Sequence, residues 1–368
     1  MSEPLPGPAV LRTDAMPAWT QHRYGGADVV ALESMVVPAP RRGQVLLRLR
    51  ATALNNGDIR VMRGEPLLVR LAFGLRRPRQ SVRGMDAAAT VVALGDGVTE
   101  FAVGDEVVCE LPAGGGLARY AVSPVGRLVR RPPELDPAVA ATLPIAAGTA
   151  WQALELGGVT VPTPPPHSAG ALRGAAGRVG PAAAPGASPL RVLVIGASGG
   201  VGTFAVQLAA GRGAEVWALC GERNRTLVES LGATRTFDYH AVQPGSPELG
   251  DGRFDAVLDI AGTAPLRVLQ RLVRDGGRVV LVSGEGGRLL GPIGRLAAAS
   301  VLSIGSKRPL RPLAAVAKSD VREQLVALAA AGSLRPVIER RHPFAEAGAA
   351  LARVADGHVA GKVVVLAE

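Results

Sequence analysis

Aromatic residues are scarce in this chain: six Phe, three Trp and three Tyr among 368 residues. Hydrophobic residues still make up 48% of it, so a sizeable core can form, filled mainly by Val, Leu, Ile and Ala. Cysteine is almost absent. Cys109 and Cys220 alone exclude a disulfide framework and a four-thiolate zinc site, and they fit a reducing, cytoplasmic setting. No run of about twenty residues escapes charge or glycine, which argues against a membrane span, and no membrane partner is expected. Residues 1–14 are polar and proline-rich, with no basic stretch leading into an apolar one, so no signal peptide is expected. Acid is in deficit too: 31 Asp and Glu face 41 Lys and Arg, a net charge of +10. That balance favours anionic partners. The basic residues are mostly scattered arginines without a recognition motif, so a small-molecule substrate is expected and a nucleic-acid partner is not.

Glycine and proline are plentiful, at 47 and 29 residues, and they divide the chain into two patterns. Short apolar segments at Val45–Ala53, Asp86–Leu94, Asp105–Glu110 and Gly116–Val122, closely punctuated by Gly and Pro, predict a β-rich domain. From Asp136, a candidate N-cap before Pro137, helices and strands alternate. Pro137–Leu143 and Ala146–Leu156 read as helices broken at Pro144, and Leu190–Ile195 and Glu215–Cys220 as strands around a helix at Thr203–Gly211. Asp255–Ile260 and Arg278–Ser283 read as further strands. This alternation predicts a parallel, doubly wound sheet. A helix at Val321–Ala331 precedes strands at Val337–Arg340 and Lys362–Leu366. The fold class is therefore α/β: a β-rich domain over 14–136, completed by 334–368, and a doubly wound Rossmann domain over 137–333. The stretch 162–189 is so rich in Pro, Gly and Ala that it reads as a flexible surface insertion.

The segment Leu190-Arg-Val-Leu-Val-Ile-Gly196-Ala-Ser-Gly-Gly-Val-Gly202 carries the clearest chemistry. An apolar strand enters a glycine-rich turn that opens a helix, with spacing G-x-x-G-x-x-G. Glycine permits close approach of the backbone to a pyrophosphate, and the helix N-terminus presents free N–H groups. Gly196, Ser198, Gly199, Gly200, Val201 and Gly202 are the expected cofactor contacts. At the end of the second strand, Gly221 stands near where an NAD enzyme places its ribose-binding carboxylate. It leaves room for a 2′-phosphate that Arg223 can pair with bidentately, which favours NADPH over NADH. Glu222 is the competing candidate for an NAD-type acid.

Together, Ala53-Leu-Asn-Asn-Gly-Asp58, Gly84-Met-Asp86, Val103-Gly-Asp-Glu-Val107, Gly148-Thr-Ala-Trp-Gln-Ala-Leu154, the glycine-rich turn, Arg223-Asn224 and Gly361-Lys-Val363 span nearly the whole chain. In this order they resemble the zinc-free, quinone oxidoreductase-like branch of the medium-chain dehydrogenase/reductase superfamily, including bacterial NAD(P)-dependent alcohol dehydrogenase-like proteins. The resemblance implies a GroES-like catalytic domain beside the Rossmann domain. It implies Asn55 beside the nicotinamide ribose, Thr149 near the nicotinamide or pyrophosphate, backbone at Ser283 and Gly284 on the carboxamide, and Lys362 toward the ribose–phosphate. Gly221-Glu222 departs from the Ser-Thr pair common before the arginine. Where zinc-dependent relatives carry metal ligands, this chain has Asn55-Asn56-Gly57-Asp58 and Gly84-Met85-Asp86, so no metal is expected. Asp58 is expected to cap the following helix rather than to act chemically.

No proton donor stands out, since Tyr24, Tyr120 and Tyr239 lie away from Ile59–Arg63. The expected activity is hydride transfer from NADPH to a quinone or an α,β-unsaturated carbonyl. A ketone or alcohol oxidoreductase and a non-catalytic NADPH-sensing or RNA-binding protein remain alternatives, and a homodimer is left open.

Overall fold

The computed structural model describes residues 15–160, 188–282 and 293–367. The described chain forms two compact units. The first runs through Gly148 and takes back Ala317–Ala330 and everything from Ile338 onward; the second comprises Thr149–Val316 and Ala331–Val337. Residues 137–148 and the helix Ser319–Ala330 thus cluster with the β-rich unit, although the alternating pattern places them with the Rossmann unit. One reason is Arg322 in that helix. It is 2% exposed, and its guanidinium donates to Glu110 Oε1 and to the Arg127 carbonyl, each at 2.9 Å.

The first unit opens with the hairpin β1 (Ala15–Gln21) and β2 (Val30–Val36). Five strands follow: β3 (Gln44–Leu54), β4 (Asp86–Leu94), β5 (Glu106–Glu110), β6 (Tyr120–Pro124) and β7 (Leu128–Arg130). The expected strand at Gly116–Val122 starts only at Tyr120. Gly116 instead packs so tightly on β3 that a Cβ there would lie 2.3 Å from Thr52 Oγ1. In the second unit, β8 (Arg191–Ile195), β9 (Glu215–Cys220), β10 (Arg235–Asp238), β11 (Phe254–Asp259), β12 (Val273–Leu281) and β13 (Leu310–Pro312) form one all-parallel sheet ordered β10-β9-β8-β11-β12-β13. Val, Leu and Ile dominate its core. The scarce aromatics gather there, with Trp217 edge-on to Phe254 at 5.3 Å and tilted against Phe237 at 5.7 Å. The chain then returns to the first unit as β14 (Ile338–Pro343) and β15 (Lys362–Leu366), giving a sheet ordered β14-β15-β3-β4-β5-β7, with β6 also on β3. This is a GroES-like unit and a Rossmann-like unit, the expected fold class.

Register places the chemistry. On β3, Leu54 pairs with Val363 of β15 and Ala53 pairs with Asp86 of β4. The segment after β3, the first residue of β4 and the first residue of β15 therefore meet at one corner of the sheet. In the parallel sheet, Ile195 pairs with Leu219 and with Asp259, which aligns the C-terminal ends of β8, β9 and β11.

Candidate active site

In the first unit, β3 ends at Leu54 and the helix Asn56–Arg63 begins, with Asn55 as its extended N-cap. Asp58, at the third helical position, reaches back to accept from the Asn55 N–H at 2.9 Å and from the Gly84 N–H at 2.9 Å. The expected capping role for Asp58 is therefore present in the reach-back form of a capping box, with Asn55 rather than Asp58 as the N-cap residue.

The side chain of Asn55 is fixed at both ends. Its Nδ2 donates to Asp86 Oδ2 at 2.9 Å, and its Oδ1 accepts from Lys362 Nζ. Lys362 also donates to the Leu54 carbonyl at 2.9 Å and stands 4.0 Å from Asp86 Oδ2. The other Asp86 oxygen accepts from the Ile145 N–H at 3.1 Å. Ile145 is available because the expected break at Pro144 is a single π-helical turn, Leu143–Ala147, running straight into the helix Gly148–Leu156. Lys362 is 3% exposed, and Asp58 and Asp86 are fully buried. Burial pushes the Asp86 carboxyl up to about 7, against the pull of the Lys362 ammonium. Burial likewise pushes Asp58 up, against its two backbone donors, and pushes Lys362 down, against the two carboxylates. Asn55 is half-buried beside exposed Asn56 and Gly57, so the cluster opens to solvent at the helix start.

In the second unit the glycine-rich turn follows β8. Gly196 takes φ +86°, where a side chain is strained, and the N–H groups of Gly196 and Ala197 both donate to the Leu219 carbonyl of β9 at 3.1 and 3.0 Å. The helix Gly200–Gly211 starts behind Gly199, and its first i→i−4 bond is Thr203 N–H to the Gly199 carbonyl at 3.0 Å. The N–H groups of Gly200, Val201 and Gly202 precede that bond and make no such bond themselves, which leaves donors at the helix start. At Gly202 a Cβ would come 2.2 Å from the Gly196 carbonyl oxygen, so only glycine lets the helix pack this close. At Gly199 a Cβ would meet only that same oxygen, at 3.5 Å, so this face stays open.

Gly221 follows β9 in an extended conformation and faces the ring of Tyr239, 3.4 Å from where its Cβ would stand. Arg223 is exposed next to it, in the turn Glu222–Asn224. Both carboxylate oxygens of Glu222 are engaged by Arg225 at 3.2 Å. Thr149 is half-buried in the first turn of the helix Gly148–Leu156. Ser283, Gly284 and all but the last two residues of the insertion 162–189 lie outside the described residues.

Three residues escaped the sequence reading as site members. Asp86 was signalled only by a charge opening an otherwise apolar strand, DAAATVVAL. Asp259 closes β11, fully buried, and accepts from Arg295 at 2.7 Å and from the Gly262 N–H at 2.9 Å. Burial pushes its carboxyl up against those two donors. Tyr239 carried no signal; the parallel pairing of β10 with β9 brings it to Gly221.

The sheet order, the glycine-rich turn at the C-terminal end of β8 and the Asn55 corner can be set beside known proteins. Residues 41–133 match the alcohol dehydrogenase GroES-like domain, and residues 231–365 match a family described as zinc-binding dehydrogenase. A chloroplast envelope quinone oxidoreductase homolog of Arabidopsis thaliana is 35% identical over 355 residues, covering 95% of this chain and 98% of that protein. The chain belongs to the quinone oxidoreductase-like branch of the medium-chain dehydrogenase/reductase superfamily. A chloroplastic NADPH-dependent alkenal/one oxidoreductase of the same plant is 29% identical over 363 residues, covering 95% of this chain and 79% of that protein. The solved quinone oxidoreductase of Coxiella burnetii shares the fold, with a TM-score of 0.77 at 24% identity over 96% of this chain and 99% of that one. As a member of this branch, the protein is an NAD(P)H-dependent oxidoreductase of the quinone oxidoreductase type. Among the described residues, no helix is long and apolar enough to cross a membrane.

Proposed function

We propose that the protein reduces quinones or α,β-unsaturated carbonyls with NADPH and without zinc. The observation that carries this reading is the Lys362 ammonium. It is bonded to Asn55, which stands at one ligand position of zinc-dependent relatives, and lies 4.0 Å from Asp86, the neighbour of Met85 at the other. An amide and a carboxylate already committed to a buried cation are a poor donor set for zinc, which takes Cys, His and carboxylate in a tetrahedral site. Met85 Sδ lies alongside Gly57 rather than completing such a set. Among the described residues, no group of three or more His, Cys, Asp and Glu is gathered for a metal ion.

The cofactor fits the second unit. The N–H groups of Gly200, Val201 and Gly202 suit the pyrophosphate, and Gly196 and Ser198 shape the turn around it. Arg223 beside Gly221 suits a 2′-phosphate, while Glu222, neutralised by Arg225, is a weak acceptor for a ribose hydroxyl. When bound, the cofactor supplies a hydride. Asn55, held by Asp86 and Lys362, orients the ribose side of the nicotinamide, and Thr149 is assigned to the nicotinamide or pyrophosphate. A quinone or enone needs no strong acid, because solvent can protonate the anion that reduction leaves; a simple ketone needs a metal or an acid to polarise it.

The test measures NADPH oxidation with a quinone, an enone and a plain ketone, and NADP⁺ reduction with a simple alcohol. Activated acceptors should turn over well and the others poorly. In Asn55→Ala, turnover should fall by more than the cofactor dissociation constant rises, because misplacing a reacting atom by about 1 Å can cost about a hundredfold. Efficient metal-free alcohol oxidation without quinone or enone activity would make the protein an alcohol oxidoreductase. Tight NADPH binding without turnover on any acceptor would favour a sensing role.

A further inference from the structure

The segment following the helix Asn56–Arg63 carries an exposed apolar surface. Leu68, Leu71 and Leu75 are 38%, 62% and 66% exposed. Leu68, Leu71 and Ala72 lie at helical spacing around the short helix Val69–Phe73, and all three are exposed. Beside them Arg76, Arg77 and Arg79 are exposed, and no hydrogen bond or ion pair occupies their guanidinium groups among the described residues. From Arg60 through Arg83 the sequence has seven arginines and a single acid, Glu65. The tip is built, not loose. Tyr24 Oη donates to the Gly74 carbonyl at 2.5 Å, and Arg70 stacks on the Tyr24 ring at 4.4 Å while its Nε donates to the Gly64 carbonyl at 3.1 Å. The Gly74 N–H closes on the Arg70 carbonyl at 2.8 Å, and the Arg79 N–H on the Phe73 carbonyl at 2.7 Å. The leucines are therefore held outward by a fixed backbone, which leaves apolar surface in water at a cost.

We propose that this tip docks the protein peripherally on an anionic lipid surface. Leucines immersed at the headgroup boundary, rimmed by arginines facing lipid phosphates, are the arrangement that surface binding rewards. The charge matches: three arginines without acidic partners among the described residues flank the apolar tip, on a chain of net charge +10. Nucleic acid fits less well, because single strands stack on exposed aromatics and this tip offers leucines. Expecting no membrane partner because the chain lacks a span does not bear on this surface, which needs none.

Docking is tested by sedimenting the full-length protein with vesicles of phosphatidylcholine alone and of phosphatidylcholine containing a third phosphatidylglycerol, at low and near-molar salt. No substrate is needed, so the outcome is independent of the reaction assigned above. Binding should require phosphatidylglycerol, weaken at high salt as exposed charges are screened, and fall about tenfold or more in Leu71→Asp/Leu75→Asp and in Arg76→Glu/Arg77→Glu. Both variants should keep the melting temperature and the turnover of a water-soluble quinone. Absence of vesicle binding, equal binding to both vesicle types, or unchanged binding in both variants overturns the proposal. So does a shift in molar mass of the wild type that the leucine variant abolishes while vesicle binding persists, which would assign the tip to a second copy of the chain.

Discussion

Lys362 is the residue whose place departs most from its sequence reading. A lysine opening the last strand reads as a solvated charge or a reach toward phosphate, yet its ammonium is buried against Asn55, Leu54 and Asp86. No periodicity marks this, because the lysine and its partners come from three strands that only register aligns. Burial raises Asp86 to about 7 and lowers Lys362, so the pair is easier to neutralise than either group in water. A carboxyl raised in the fold contributes stability that is fully present below its unfolded value near 4 and is lost as pH rises through about 7. Melting temperature should therefore fall between about pH 4 and pH 7 by an Asp86 contribution that Asp86→Asn removes, flattening the profile. A variant profile parallel to the wild type would show that Asp86 does not titrate there. The place of Arg223 just past β9, two residues after Gly221, was legible from sequence because it is local; its role toward a 2′-phosphate is the proposal under test. Arg223→Ala should weaken NADPH binding ten- to a hundredfold, about 1.5–3 kcal/mol for a charge-assisted pair, and leave NADH nearly unchanged. Equal losses for both cofactors in a binding titration would remove its assignment to the 2′-phosphate.

Among the elements, those with a local signature were readable and those defined by partners were not. Glu215–Cys220, Asp86–Leu94 and Lys362–Leu366 are strands with the limits their apolar runs predict. The hairpin Ala15–Gln21 with Val30–Val36 was missed because the pairing buries little of its second strand, where Ala31–Ser34 are exposed. The helix Asn56–Arg63 was expected only after Asp58, its start masked by a polar first turn, and the strand β13 was masked by its length of three residues. The glycine-rich turn was legible because its helix packing requires glycine at fixed positions, and Gly202 makes that testable. Gly202→Ala would place a methyl group 2.2 Å from the backbone oxygen of Gly196, which cannot swing aside like a side chain. The helix must shift, at a cost of about 1–3 kcal/mol or more, with the N–H groups proposed to hold the pyrophosphate. Melting temperature and NADPH affinity should fall together; normal values of both would mean that the helix start tolerates displacement.

At the scale of the whole molecule, the two units divide the work. The parallel sheet presents the helix N-terminus, glycine and Arg223 proposed to hold a dinucleotide, and the β-rich unit supplies a buried polar corner whose only cation among the described contacts of Asn55 is Lys362. The superfamily that this chain belongs to includes members built around zinc, and residues 231–365 match a family described as zinc-binding. Under the zinc-free proposal, the difference lies in what occupies the corner where β3, β4 and β15 meet. A lysine ammonium there does part of a structural metal's work: it neutralises carboxylate charge and fixes Asn55, but it has no open coordination position to polarise a carbonyl. Reduction should then depend on the acceptor's own electron demand, with metal irrelevant to turnover. Elemental analysis of the purified protein should find no stoichiometric zinc, and prolonged treatment with a strong chelator should leave NADPH-dependent quinone or enone reduction unchanged. Added zinc should neither raise turnover nor shift the melting temperature, because Asn55 and Asp86 are already bonded. A tightly bound zinc whose removal abolishes activity and whose return restores it would mean that the corner rearranges to admit a metal, and the zinc-free reading would fall.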